Sequence, residues 1–430
     1  MLSWEEVFAQ KRDMFRPIRG MKDLYGVSAR KYEHITEVAT KIGAKYGYSM
    51  IETPTVEATE IFQRSIGDET DVVSKEMYTF VDKGGDSITL RPEGTAGVMR
   101  AIVSNNLAQS LPVKLMYHGE MFRYDRPQKG RYRQFHQVGA ECVGDKSPYT
   151  DATLICMATE ILSGIGIFDF TVLLNTLGDK ETREAYTKGL VKYFSRHEDK
   201  LSEDSKRRLG KNPMRILDSK DEGDREICQM APLITDYLSK ESEQYFRKVC
   251  ELLEICSINF EVDNFLVRGL DYYSETAFEF KSTSGDYGDA IGGGGRYDDL
   301  LKIFGGADVS GVGFAFGIER LMLLLDDEKF NENIRKVAVI PVTDDENDYA
   351  FQLLKSLYDA DVPSEFIHHG NLSKKMKIAD RQNCKIALIV GEDEVKNEIY
   401  TVKFMDCTDE HEKTKPVAAA NVTSFIKHNL

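Results

Sequence analysis

A chain of 430 residues with 71 acids against 56 bases, net charge −15, has room for two or three domains and a large core. The acidic balance excludes a protein that coats nucleic acid nonspecifically, although a local basic patch can still meet phosphates in a salt-dependent way. No apolar run reaches membrane-span length. The start, Met1-Leu-Ser-Trp-Glu-Glu, has neither a secretory nor a transit pattern. Seven cysteines (142, 156, 228, 250, 256, 384, 407) without a CxxC pair point to reduced thiols rather than a zinc site. A cytoplasmic location is expected, with an additional organellar one left open.

After a turn-like Pro17-Ile-Arg-Gly, Ile35, Val38, Ile42 and Tyr46 fall at helical spacing. Gly47 ends that helix, and Tyr48-Ser-Met-Ile-Glu-Thr-Pro54 reads as a strand stopped by proline. Met77–Val81 and Ser87–Leu90 read as a hairpin around Asp-Lys-Gly-Gly-Asp. Arg91-Pro-Glu-Gly-Thr-Ala-Gly97 then opens a helix running through Met99, Ile102 and Val103. Glu93 and Thr95 at this junction could face a ligand amine; a first-turn acid at a helix start is the plain alternative.

The stretch Phe122–Glu141 carries the most chemistry. It reads as strand, loop, strand, with Pro127 and Gly130 in the middle. On the returning strand, Phe135, Gln137, Gly139 and Glu141 share one face. An aromatic plate, an amide, a gap and a carboxylate do not make a core face, so this face is expected to hold something small and polar. The loop concentrates Arg123, Arg126, Lys129, Arg131 and Arg133 against one acid, Asp125. Such a cluster on an acidic protein suits an anionic ligand, and arginine's planar fork suits phosphate.

Ser147-Pro148 begins a helix, with serine as cap and proline near its first turn. Phe170–Asn175 reads as a buried strand. From about 180 to 255 the charge rises and helical patterns dominate, as in an inserted helical subdomain. The core resumes at Phe265–Phe280, where strand alternation would put Arg268, Leu270 and Tyr272 on one side. An arginine among apolar and aromatic residues is costly unless paired. Four consecutive glycines precede Arg296-Tyr-Asp298, letting backbone approach closely, with a helix expected from near Tyr297. Gly311-Val-Gly-Phe-Ala-Phe-Gly-Ile-Glu-Arg320 is a glycine-spaced strand turning into a helix. It is not a dinucleotide fingerprint, because the third glycine is misplaced. Beyond 331, strands at Val337–Val342 and Ile386–Val390 alternate with helices at Asp348–Leu357, Lys374–Arg381 and Val422–Ile426. This small α/β domain has 13 bases against 17 acids, so any RNA contact must be local, best placed at Lys374–Arg381.

In its RPQKGRYRQFHQVGAE wording, the hairpin resembles motif 2 of the histidyl-tRNA synthetases of bacterial type. The unit at 17–54 resembles motif 1, and GFAFGIER resembles motif 3 of the class II synthetases. RPEGTA, RGLDYY and GGGGRYD resemble histidine-specific segments of the same family; Asp299, where glycine is common, is a small departure. The resemblance spans nearly everything from about residue 17. It implies an α+β class II catalytic domain over 1–330, an antiparallel sheet flanked by helices with a helical insertion at about 180–255. It also implies an α/β anticodon-binding domain over 331–430.

What the resemblance implies for function follows residue by residue. Histidine would be activated with ATP and Mg²⁺, then passed to tRNA(His) by a homodimer. Arg123 would grip the α-phosphate, Phe135 would stack on adenine, and Arg320 would lie near adenine and the γ-phosphate. Arg268 would be the catalytic cation. Asp125 replaces the usual glutamate, which puts its adenine or metal contact in doubt. Glu93, Thr95, Gln137, Glu141, Tyr272 and Tyr273 would hold histidine, and Arg126, Lys129 and Arg131 would meet the acceptor end of the tRNA. No residue is assigned as a resident metal ligand. Two other readings share the fold: a silent regulatory subunit of histidine biosynthesis, and a class IIa synthetase for another amino acid.

Overall fold

The computed structural model describes residues 16–67, 70–268, 272–284, 290–331, 336–407 and 413–430. The chain divides into two compact units between Phe330 and Asn331. In the first, the strands in chain order are Ser49–Met50 (β1), Val56–Ala58 (β2), Tyr78–Val81 (β3), Ser87–Leu90 (β4), Val113–Phe122 (β5), Gln134–Val143 (β6), Phe170–Thr176 (β7), Phe260–Val262 (β8), Ser274–Ser282 (β9), Ala290–Arg296 (β10) and Gly311–Gly317 (β11). Eight of them join in the order β1-β5-β6-β11-β10-β9-β7-β8. The interior pairs are antiparallel; β1 on β5 and β8 on β7 are parallel at the edges. The remaining three make a small sheet, β2-β4-β3.

The two ten-residue strands around the basic loop pair from Val113↔Val143 to Phe122↔Gln134. Period-two alternation then gives the sheet two unlike faces. On one, Val138, Ala140 and Cys142 of β6 lie beside Phe316, Phe314 and Val312 of β11, next to Phe278 and Phe280 of β9. Helices Val27–Lys45, Pro148–Gly164 and Lys240–Ile255 cover that face with Ile35, Leu154, Ile161, Val249 and Leu253 among others. Each fully buried side chain of this kind contributes about 1.5–3 kcal/mol, so the larger apolar cluster lies on this face, while on the other Leu115, Tyr117 and Ala277 pack with Val98, Ile102 and Tyr297 in a second, smaller one. Ser147 caps its helix by accepting from Tyr149 N–H, with Pro148 at the first position. Arg296, fully buried, pairs with the equally buried Asp151 and ties that helix to β10; without its partner either charge would cost several kcal/mol, roughly 3–5.

The insertion has a core of its own. Tyr186, Leu190, Phe194, Leu201, Ile216 and Ile234 cluster apart from the sheet. The chain leaves at Asp179 and returns at Ser239, where Ser239 Oγ donates to Asp179 Oδ2 at 2.6 Å. Helix Lys240–Ile255 belongs elsewhere: its apolar stripe is buried against the sheet.

Three sequence expectations change. Strand pairing at Tyr48–Pro54 is confined to Ser49 and Met50, since the chain then turns to join the small sheet. The Phe265–Phe280 strand begins only at Ser274. Asp263 takes the N–H of Phe265 at 2.9 Å on its side chain and of Leu266 at 3.0 Å on its carbonyl, a turn that breaks the extended run. Arg268 is therefore in an irregular segment, and Leu270 lies outside the described residues. The helix expected from Tyr297 is Leu300–Ile303, because Tyr297 is drawn into the core.

In the second unit, Lys336–Pro341 (β12), Ser364–Phe366 (β13), Cys384–Val390 (β14), Ile399–Phe404 (β15) and Thr414–Ala418 (β16) run in the order β13-β12-β14-β15-β16. The first two pairings are parallel and the last two antiparallel. Val337, Val339, Leu388 and Val390 face one apolar cluster; Ala338, Ile340 and Ala387 face another. Burial on both faces explains the unbroken apolar runs of β12 and β14. The basic helix is Leu372–Arg381. Its Lys374, Lys377 and Arg381 are exposed, but Lys375 is buried and donates to the Pro341 carbonyl at 2.8 Å.

Candidate active site

Across the sheet's second face runs a trough floored by bare backbone. Register places Gln137, Gly139 and Glu141 of β6 beside Gly317, Ala315 and Gly313 of β11. Ala315 and Gly313 in turn sit beside Gly293 and Gly295 of β10, and those beside Glu279 and Ala277 of β9. The two middle strands contribute almost no side chains. A cavity of about 850 Å³ opens over them. The glycines are required by close approach: a Cβ on Gly293 would lie 2.8 Å from Arg268 Nη1 and 2.6 Å from the Phe278 carbonyl.

One end of the trough is a pocket of carboxyl and hydroxyl groups. Glu141 is 1% exposed. It accepts from Thr95 Oγ1 at 2.7 Å, from Tyr117 at 3.4 Å and from the Tyr297 hydroxyl. Burial pushes its carboxyl up to about 8, against the pull of the Tyr297 and Thr95 hydrogen bonds. Burial likewise holds the Tyr117, Tyr272 and Tyr297 phenols well above their ordinary range, so they remain donors. Glu93 takes the N–H groups of Thr95 and Ala96 at 2.7 and 2.8 Å. Glu93 is therefore not in the first turn of helix Thr95–Ser104 but two residues ahead of it, where it takes the N–H groups of the first two helical residues, and it also lines the cavity. Gln137 Oε1 is buried and has no partner among the described residues, which marks a site for an external donor. Tyr272 and Tyr273 line the cavity with ring centroids 4.7 Å apart.

Along the rest of the trough the groups suit a nucleotide. Phe135 lines the cavity, with the Arg123 guanidinium 5.4 Å from its ring and Arg123 Nε anchored on the Pro92 carbonyl at 2.8 Å. Arg320 enters from helix Ile318–Leu324 and donates to the Ala290 carbonyl. Opposite, Arg268 Nη1 donates to Glu279 Oε2 at 2.7 Å while its buried Nε has no partner among the described residues. Burial raises the Glu279 carboxyl, and Arg268 opposes that rise. A fork with one arm fixed and one donor unused is pre-set for an oxyanion.

The five loop cations divide by role. Arg131 lines the cavity and pairs with Asp125 at 3.5 Å. Arg126 and Lys129 are exposed. Arg133 lies over the Tyr124 ring at 3.6 Å and its N–H bonds the Gly20 carbonyl at 2.7 Å, so it is used within the fold. Gly139, read as an open gap, is filled by the Tyr117 phenol, its cross-strand neighbour. Tyr117, Tyr297 and Glu279 went unassigned in the sequence. The signal for Tyr117 was an aromatic residue placed opposite a glycine by hairpin register; Tyr297 lay inside a quoted segment. Arg208, Arg215, Asp218 and Lys220 of the insertion also line the cavity, and only tertiary packing could reveal that.

Gly313 offers a direct check on this geometry. A Cβ there would overlap Glu141 Oε2 and lie 2.9 Å from the Ala140 carbonyl. Gly313→Ala is expected to lower kcat/KM for whatever substrate this pocket holds by about 10²-fold or more, as a misplacement of roughly 1 Å does. Steady-state kinetics measures it.

Comparison with known proteins identifies the family. The family model described as histidyl-tRNA synthetase matches residues 20–321, and that of an anticodon binding domain matches 336–429. A histidine–tRNA ligase of Rhodospirillum rubrum is 46% identical over 392 residues, covering 91% of this chain and 94% of the relative. The apo structure of S. aureus histidyl-tRNA synthetase superposes with a TM-score of 0.80 at 33% identity, over 96% of this chain and all of that one. A Bacillus halodurans chain described as an ATP phosphoribosyltransferase regulatory subunit/histidyl-tRNA synthetase, at 22% identity and TM-score 0.65 over 88% of this chain and 98% of that one, shares the fold alone. Similarity of that depth, running through the strands that floor the trough and on through the second unit, is inheritance: this chain belongs to the histidyl-tRNA synthetase family, the ATP-dependent histidine–tRNA ligases.

Proposed function

We propose that the trough binds L-histidine beside Glu141 and ATP beside Phe135, and that Arg268 assists adenylation between them. The carrying observation is the buried Glu141 ringed by Thr95, Tyr117 and Tyr297 hydroxyls. An imidazole has two ring nitrogens that such a group can satisfy; an aliphatic side chain leaves the carboxyl and hydroxyls unpaired. Glu93, Thr95 and the unpartnered Gln137 Oε1 receive the α-amine.

The carboxylate oxygen of histidine attacks the α-phosphorus in line. A new O–P bond forms as the bond to the β-phosphate bridge oxygen breaks, and pyrophosphate leaves. No side-chain nucleophile is needed, because such transfers rest on positioning and charge neutralisation. Arg123 and Arg268 neutralise the α-phosphate, Phe135 stacks on adenine, and Arg320 covers adenine and the γ-phosphate. Mg²⁺ would be held mainly by substrate phosphates and waters, and Asp125 on the cavity wall is the carboxylate that would reach it. When bound it would neutralise phosphate charge.

A hydroxyl of the terminal adenosine of tRNA(His) then takes the histidyl group and AMP leaves. Arg126, Lys129 and Arg131 contact the acceptor end, and the 331–430 unit binds the anticodon arm, with Lys374, Lys377 and Arg381 exposed for it. The catalytic domain spans 1–330, and helix Val27–Lys45 with β1 forms a homodimer contact. No described helix is long and apolar enough to cross a membrane. The enzyme works in the cytoplasm, where its tRNA and ATP are supplied.

ATP–pyrophosphate exchange without tRNA, run across the twenty amino acids, tests the reading. Histidine alone is expected to support exchange. Histidine binding without exchange would favour the regulatory-subunit reading, and exchange with another amino acid would overturn the pocket assignment.

A further inference from the structure

Pairing between β6 and β11 ends at Gly317↔Gln137. One residue further on, β11 has already turned into helix Ile318–Leu324. The main-chain N–H of His136 is thus left beyond the last ladder pair, where an orphan donor is costly. Glu319 takes its place. Its Oε2 accepts the His136 N–H at 2.9 Å, and its Oε1 meets His136 Nδ1 at 2.7 Å. The carboxylate is 3% exposed and the imidazole 13%.

Both residues have neighbours on the trough. His136 points to the side of β6 opposite Phe135 and Gln137, by strand alternation. Glu319 immediately precedes Arg320. Tyr32 of helix Val27–Lys45 backs the imidazole edge-on, with ring centroids 4.9 Å apart. From the same helix Lys31, 4% exposed, donates to the Met322 carbonyl at 3.0 Å and to the Leu325 carbonyl. The arginine-bearing helix is thereby held at both ends: Glu319 ties its start to β6, and Lys31 ties its end to the long helix.

We infer that Glu319 and His136 are positioning residues for the nucleotide, setting the gap between Phe135 and Arg320 into which adenine fits. This rests on the reading that those two side chains bracket the adenine. A hydrogen-bonded buried carboxylate bridging main chain and ring sets that spacing more tightly than apolar packing alone, since a shift breaks two bonds at once. Apart from Gln137, which adjoins His136 on the opposite face of the strand, the histidine pocket lies further along β6, at Glu141, and is not spanned by the bridge. The signature is therefore a split between substrates.

Pyrophosphate exchange with each substrate varied in turn is the test. Glu319→Ala is expected to raise KM for ATP roughly tenfold or more while KM for histidine stays within about twofold. Glu319→Gln keeps an oxygen for the His136 N–H and should recover most of that loss. His136→Asn, whose amide can stand near Nδ1, should do better than His136→Ala. If Glu319→Ala does not fold, judged by thermal melting, His136→Ala against His136→Asn carries the same comparison. A rise in both KM values together, or in neither, overturns the inference. Phe135→Ala and Arg320→Ala separate the two levels. If these leave KM for ATP unchanged, the adenine reading itself fails; if they raise it and Glu319→Ala does not, only the positioning role is lost.

Discussion

Replacing Arg268 with alanine is expected to slow adenylate formation by roughly 10²–10³-fold, the usual cost of removing one pre-set donor from a developing oxyanion. Histidine binding should persist, because Glu141 takes its hydrogen bonds from Thr95, Tyr117 and Tyr297 and none from Arg268. The variant leaves Glu279 without its partner. Burial already raises that carboxyl, so it protonates instead of holding an unpaired charge, and the fold should survive with some loss of stability. Arg268→Ala combined with Glu279→Gln removes the orphan and should restore melting temperature without restoring rate. Lysine is a poor substitute, since one arm of the fork is held by Glu279 while another donor remains for the phosphate. Rapid-quench measurement of adenylate would decide. Near-wild-type turnover in Arg268→Ala would remove it from catalysis.

The second large effect belongs to Glu141. Glu141→Gln keeps the shape but forfeits the ionisable acceptor, and is expected to lower kcat/KM for histidine by about 10³–10⁴-fold, as happens when a pocket built for a specific hydrogen bond loses it. The same change should stabilise the protein in alkali. Burial raises the Glu141 carboxyl from 4.5 to about 8, so the folded state holds this proton after the unfolded state has released it. The unfolded chain binds fewer protons between those values, and stability contributed here falls as pH rises from about 4.5 to about 8. The amide of the Glu141→Gln variant cannot ionise. Thermal melts of the two proteins should diverge upward through that window, the variant melting several degrees higher at its alkaline end. Equal pH dependence would show that Glu141 is not held protonated in the empty pocket.

Arg123, Asp125, Phe135, Gln137 and Glu141 were legible because they lie on one hairpin, where a two-residue period and a loop of cations speak for themselves. Arg268 was legible as an arginine out of place, yet for the wrong local reason: the strand expected there is broken by the Asp263 turn. The glycines of β10 and β11 read as permissive backbone, but not as a floor. Their role emerges only when Gly293 and Gly313 are seen beneath Arg268 and Glu141. Lys375, read as part of a basic surface, is buried on the Pro341 carbonyl, since amphipathic spacing alone does not say which lysine lies on the inner stripe.

By itself, then, the amino-acid sequence determined the long antiparallel hairpin, the basic loop, the capped helices and the two-unit organisation, because each depends on contacts a few residues apart or on apolar periodicity. Tertiary structure alone decided that Tyr117 fills the gap at Gly139, that Tyr297 closes on Glu141, that Glu279 holds Arg268, that the insertion lines the cavity, and that Glu319 completes the β6 ladder. Those outcomes join elements up to 183 residues apart. Their partners are chosen by strand order and by the cost of burying an unpaired polar group, and neither is written in local spacing.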